Sequence, residues 1–354
     1  MARDTTVPAS PAVAATAAPQ RRQWLAGSAL GGWDLTVVVA VVLTAALAAW
    51  LVEGFARGSN IGFLLLDMVA IALVALPMTL IIVTGEIDLS VASILGLTST
   101  VMGQLWLAGW PLELILPLCV VLGAVLGAVN GVFVTVFGLP SLAVTIGTLA
   151  LYRGLAFVVL GSRAVADFPI GWTTGITAPI PGTPIPWVMI PLTLLALVFG
   201  VVLHATPVGR SLYVMGANAE AARFAGIAVE RTKLWLFVTS GAVSSLAGLF
   251  WTLRYASARA DNASGLELSV IAAVLLGGVS IFGGRGTLPG VVAAVLLLGT
   301  IRNALQLANV SAEALTVVTG LLLIVSVVAP NLVAMAKRRL KRSTAPPSAP
   351  PDRA

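Results

Sequence analysis

Apolar runs long enough to cross a bilayer recur along the whole chain, and they constrain its fold more than any other feature. A helix needs about 20 apolar residues to span the hydrocarbon core. Ten runs approach that length: 34–52, 62–83, 89–108, 111–137, 139–160, 186–204, 231–255, 267–283, 288–307 and 313–333. In lipid, every backbone N–H and C=O must find its partner inside the protein, so such runs fold as helices. The expected class is all-α: a polytopic membrane protein of about ten transmembrane helices. Composition agrees, with 58% hydrophobic and 10% charged residues in 354, too few charges for a water-facing surface. The eighth run is short and carries Gly277, Gly278 and Gly283, so a broken or re-entrant helix is expected there.

Three sections follow from these runs. Residues 1–30, rich in Ala, Pro and Thr, read as a disordered cytoplasmic tail. Residues 31–335 form the transmembrane domain, with a polar loop at 205–233, and 336–354 form a basic, Pro-rich tail. An even number of spans puts both termini on one side. With that side cytoplasmic, 14 of the 20 Lys and Arg residues lie inside or at the inner interface, as the positive-inside rule requires. The net charge of +6 therefore reads as membrane anchoring, and nucleic acid is not an expected partner. The longest external segment, 161–185, holds Pro169, Pro179, Pro181 and Pro184 and is expected to be irregular: a linker, or a docking surface for an external protein.

Catalytic and metal chemistry find little support. The chain has one Cys and one His and no GxxxxGK[ST] phosphate loop, so no zinc cluster, no intrachain disulfide and no ATP hydrolysis is expected of it. Asp88, two residues after Glu86, is placed to cap the helix that follows, through Ser90 and Val91. Hydrolytic work by Glu86 and Asp88 lacks a neighbouring nucleophile or metal. Asn130 lies among Gly123, Gly127 and Gly131, a spacing that lets helices approach closely, where an amide can bond across the interface or line a polar path. Asp67 sits near the outer end of the second run and is read as interfacial. A faint echo joins Asp88-Leu89-Ser90-Val91 to Glu267-Leu268-Ser269-Val270. The two lie five spans apart, as an inverted internal repeat requires.

The loop 205–233 is the longest charged run between spans. Gly216-Ala217-Asn218 supplies a turn and an N-cap, 219–225 has high helix propensity, and Gly226 supplies a stop. The result is either an ordinary interfacial helix or a lever for a soluble partner.

Taken together, these segments resemble the permease subunits of ribose-type bacterial ABC sugar importers, over about 61–330. The carriers are Leu80 to Val91, Leu139-Pro140-Ser141 with Thr145 to Leu149, Tyr152-Arg153-Gly154, and Thr206 to Arg210 with Gly216-Ala217-Asn218, Ala221-Ala222 and Gly226-Ile227. Glu86 with Ala92 is most similar to the rhamnose type. The resemblance implies a chain of the bacterial inner membrane that imports a monosaccharide, a rhamnose-like deoxyhexose first, with ribose, arabinose, xylose or autoinducer-2 as alternatives. Its implied partners are a cytoplasmic ATP-binding cassette, which carries ATP and Mg, a periplasmic sugar-binding protein, and a second permease, identical or paralogous. This chain itself would bind no cofactor. The implied coupling residues are Gly209, Arg210, Gly216, Asn218, Glu220, Ala221, Ala222 and Gly226, with the coupling helix at 216–226. Candidates for the path or its gate are Glu86, Asp88, Ser90, Asn130, Thr145 and Thr148. An ion- or proton-coupled secondary transporter of a small neutral solute is the rival; mid-membrane ionisable groups, which such transporters use, are scarce here.

Overall fold

The computed structural model describes residues 32–311 and scattered positions between 313 and 328. Both expected tails, and parts of the tenth expected span, lie outside the described residues. Up to residue 311 the helices follow in order: α1 Gly32–Leu51, α2 Gly58–Val83, α3 Val91–Leu107, α4 Leu112–Thr135, α5 Ser141–Leu160, α6 Ile170–Thr177, α7 Met189–Ala205, α8 Pro207–Ala217, α9 Ala219–Phe224, α10 Val229–Tyr255, α11 Leu266–Leu276 and α12 Leu288–Leu307. Among the described residues strands are absent; two isolated antiparallel bridges, Val165 with Ala258 and Pro179 with Pro186, take their place.

The expectation of ten spans is met in part. Among the described residues, α1, α2, α4, α5, α10 and α12 are long and apolar enough to cross a membrane, and α7 with α8 makes a seventh if that pair, bent by 66°, counts as one. α3 and α11 are shorter. The eighth expected run, 267–283, shrinks to the 11 residues of α11, about 16 Å of helix.

The bundle is organised around α10 and α2. α10 packs most extensively on α4 and also on α3 and α2. Gly123, Gly127 and Gly131 make the α4 contact: a Cβ on the first would strike the Gly241 carbonyl, on the second the Phe237 carbonyl, and on the third Leu234. Close backbone approach of this kind is how helices associate where no water is expelled. α2 is buried almost continuously from Met68 to Val83, so it is enclosed by protein. Past their N-terminal ends, where Thr36 and Glu113 are exposed, the outward sides of α1 (Val42, Leu43, Leu47) and α4 (Leu114, Leu118, Val121, Val125) expose apolar side chains, as a lipid-facing surface must.

Two non-helical stretches run inside this bundle. One, 84–90, joins α2 to α3. The other, 256–265, joins α10 to α11 and lies along α3: Ala258 packs beside Gly103, and the Asn262 carbonyl comes beside Gly96. Irregular backbone at such depth survives only where its polar groups are paired. Arg153 on α5 does this, donating to the carbonyls of Ala260 (2.6 Å), Asn262 (2.9 Å) and Ala92 (2.9 Å). The segment 161–185, expected to be irregular, contains α6, a short helix that starts after Pro169.

Candidate translocation and coupling sites

The loop 205–233 folds as two helices. Thr206 is extended and its hydroxyl accepts from the Gly209 N–H at 3.4 Å, while Pro207 opens α8. A Thr cap followed by proline at the first helical position starts a new helix and forces the bend from α7. Asn218 then caps α9, its Oδ1 accepting from the Ala221 N–H at 2.9 Å. Gly226 closes the segment at φ +82°, a conformation that suits glycine. The expected single helix over 216–226 is corrected: Gly209, Arg210 and Gly216 belong to α8, and the extended Asn218 breaks the path to α9.

α8 is locked to the bundle by backbone proximity. A Cβ on Gly216 would collide with the Val83 carbonyl and with the Gly284 nitrogen, and Tyr213 donates its hydroxyl to the Gly286 carbonyl at 2.7 Å. The glycine-rich loop 277–287 packs here against α8 and the end of α2. In α9, Glu220 and Ala221 are exposed, whereas Ala222 is 0% exposed and packs in the main apolar core. Ala222 thus holds α9 down and cannot itself meet a partner. The outward apolar residue is Phe224, 87% exposed, which the sequence reading missed although it ends the helix that Asn218 begins.

Of the expected path residues, three come together in the interior. Asp88 is fully buried. Its Oδ1 accepts from the Ser90 N–H (3.0 Å) and the Ser90 hydroxyl (2.6 Å), and its Oδ2 accepts from the Ser240 hydroxyl (2.9 Å). The Asn130 amide donates to Ser90 Oγ at 2.7 Å, and the Tyr152 hydroxyl donates to the Leu126 carbonyl at 3.0 Å and lies 3.4 Å from Asn130 Oδ1. The carboxylate therefore pins the turn before α3 instead of bonding to N–H groups of the helix proper. Thr145 donates to the Ile87 carbonyl at 3.3 Å, and Ser141 accepts from the Ile87 N–H at 3.2 Å, joining α5 to 84–90. Thr148 bonds back onto its own helix. Glu86 stands apart and pairs with Lys233 at the start of α10, both largely buried. Sequence reading does not point to Ser240 or Lys233, whose partners are remote along the chain.

A second polar group lies at the other end of α10. Asp67 on α2 accepts from Arg254 Nη2 at 3.3 Å, and the Tyr255 hydroxyl stands 3.5 Å from the same oxygen. The Arg254 guanidinium also lies over the rings of Phe63 and Tyr255, at 5.6 and 5.5 Å. In the adjoining 256–265 segment, Arg259 donates to both oxygens of Asp261 (2.9 and 3.0 Å). Among the described residues no group of three or more His, Cys, Asp or Glu side chains forms a metal site.

Residues 60–327 match the family model described as branched-chain amino acid transport system / permease component. The autoinducer 2 import system permease protein LsrD of Yersinia pseudotuberculosis (strain IP 31758) is 33% identical over 306 residues, covering 84% of this chain and 90% of that protein. The protein of the same name from Yersinia enterocolitica is 32% identical over 306 residues, covering 84% and 91%, and that from Yersinia pestis (strain Pestoides F) is 32% identical, covering 84% and 90%. No solved structure matches. A helical bundle with bilayer-length spans, a family model matched over most of its length and relatives aligned nearly end to end lead to one conclusion: the chain belongs to this family, as a permease of the ribose-type ABC sugar importers and not an enzyme.

Proposed function

We propose that the chain is one membrane half of an ATP-driven importer of a small neutral polyhydroxylated solute in a bacterial inner membrane. Autoinducer-2 ranks first as substrate, because relatives a third identical carry that function in their names. A rhamnose-like deoxyhexose, ribose, arabinose and xylose follow; the rhamnose type, favoured by Glu86 and Ala92, has no support beyond those residues. α8 and α9 face the cytoplasm and receive an ATP-binding cassette that carries ATP and Mg. A periplasmic binding protein delivers solute to the opposite face, and a second permease completes the path. Closure of the cassettes on ATP moves α8, and differential nucleotide affinity for the two states drives the change. α3 with 84–90 and α11 with 256–265 count as crossings in a ten-span arrangement. In each a non-helical lead-in precedes a short helix, which supports the inverted repeat.

The observation that carries this reading is the α8–α9 segment: a capped helix pair, seated by Gly216 on α2 and the 277–287 loop, that presents Glu220, Ala221 and Phe224 outward. The test is uptake of labelled autoinducer-2, rhamnose and ribose by the assembled importer in vesicles. Uptake that survives an uncoupler and stops on ATP depletion is expected. Uptake abolished by the uncoupler with ATP present would replace this reading with an ion-coupled transporter.

A further inference from the structure

The exposed faces of this chain are not alike. Past their N-terminal ends, where Thr36 and Glu113 are exposed, α1 and α4 present apolar side chains outward, but the face formed by the first half of α2, the last turns of α10 and the neighbouring part of α12 carries charge. Asp67 keeps 41% of its side chain exposed, Tyr255 is 48% exposed, and Phe63 is 54% exposed. Arg302, exposed on α12, lies within electrostatic reach of Tyr255. Sixteen residues separate Asp67 from Val83 at the other end of α2, about 24 Å of helix, so this group lies within the thickness of a bilayer. Charged groups directed at hydrocarbon cost several kcal/mol, and within spans they face an aqueous cavity or protein.

The arginines differ as well. Arg153 makes three hydrogen bonds of 2.6–2.9 Å to carbonyls, the signature of a structural clamp. Arg254 makes one long contact to Asp67, and its buried Nε finds no acceptor among the described residues. A guanidinium held this loosely, stacked on two rings, can exchange its hydrogen bond. Trp251 lies 5.0 Å from Tyr255, ring to ring, extending the aromatic surface.

From this we infer that Asp67, Arg254 and Tyr255, flanked by Phe63 and Trp251, form a contact site for a neutral polyol on the wall of the translocation path. The chemistry fits that class. A carboxylate accepts from hydroxyl groups, a guanidinium donates to them, and aromatic faces pack against the C–H side of a sugar ring. Because Asp67 and Arg254 offset each other's charge, a neutral ligand is accommodated without leaving either ion unpaired. Where the solute is a sugar the site rests on the function proposed above; that the face is wet does not.

Single-cysteine chemistry tests both parts in the assembled importer, with Cys119 fully buried and silent. Tyr255→Cys is expected to react with a charged, membrane-impermeant maleimide, and Val121→Cys on α4 is expected not to. Millimolar autoinducer-2, ribose or rhamnose should slow the Tyr255→Cys reaction at least about fivefold, equivalent to about 1 kcal/mol, and Asp67→Asn should remove that protection. A Tyr255→Cys side chain reached only by a lipid-soluble reagent, or covered by the second permease, overturns the inference. So does labelling that no sugar slows, or that only inorganic phosphate slows. If the cysteine reacts and the unmodified importer takes up none of the three solutes, the proposed function fails while the wet face stands.

Discussion

The backbone N–H of Gly284 donates to the carbonyl of Val83 at 2.8 Å, fastening the 277–287 loop to the last residue of α2. Gly216 lies against the same carbonyl, so α2, α8 and the loop before α12 meet at one point without an intervening side chain. A Cβ has no room there. Gly216→Val is expected to unseat α8 and destabilise the protein by at least about 1–3 kcal/mol, the range for overpacked cores. Thermal unfolding in detergent measures this; an unchanged midpoint would show that α8 can shift freely.

Ala222 and Phe224 separate packing from docking within one short helix. Ala222→Glu places an unpaired charge in the core and is expected to lower the unfolding temperature and the yield. Phe224→Ala should leave the unfolding midpoint in place, because the ring touches little of this chain, and should reduce co-purification of the cassette. Full cassette retention by Phe224→Ala would remove α9 from the coupling interface.

Asp88 accepts three hydrogen bonds in a site closed to solvent. Asp88→Ala orphans the Ser90 N–H and two hydroxyl groups, and each buried unsatisfied group costs about 1–3 kcal/mol. A loss of several kcal/mol is expected, with Asp88→Asn milder because its carbonyl still accepts. Size-exclusion profiles after a heat step rank the variants; equal survival of Asp88→Ala and the parent would make the network dispensable.

Glu86 is the partner of Lys233, and both side chains are more than four-fifths buried. Removing one member of such a pair leaves a buried charge without compensation, costing about 3–5 kcal/mol where burial is complete. A loss of stability is expected for Glu86→Gly, which leaves Lys233 without its carboxylate. Glu86→Gln combined with Lys233→Met should recover much of it. A double-mutant cycle in thermal stability with no coupling would show that the pair contributes nothing.

Local chemistry made much of this architecture readable. α2 and α12 end where their apolar runs end, at Val83 and Leu307, because leaving hydrocarbon is what stops a span. Asn218 and Gly226 announced the ends of α9, as cap and left-handed stop. Thr206-Pro207 carries an equally local signal for α8, which was taken as loop. The remainder depended on distance along the chain. Arg153 meets carbonyls 107 and 109 residues away, and Asp67 meets Arg254 across 187. No periodicity encodes such meetings; packing decides them. The same holds for 256–265, whose Ser, Arg, Asp and Asn residues give no sign that this turn-rich backbone would pack along α3.

Arg153 binds the fates of three elements. Pulling α5 away from α3 or from the 256–265 segment would leave three carbonyl oxygens without their donor. These parts are therefore expected to move as one block. Flexing is expected instead at the corner of Thr206, where the chain bends by 66° from α7 into α8.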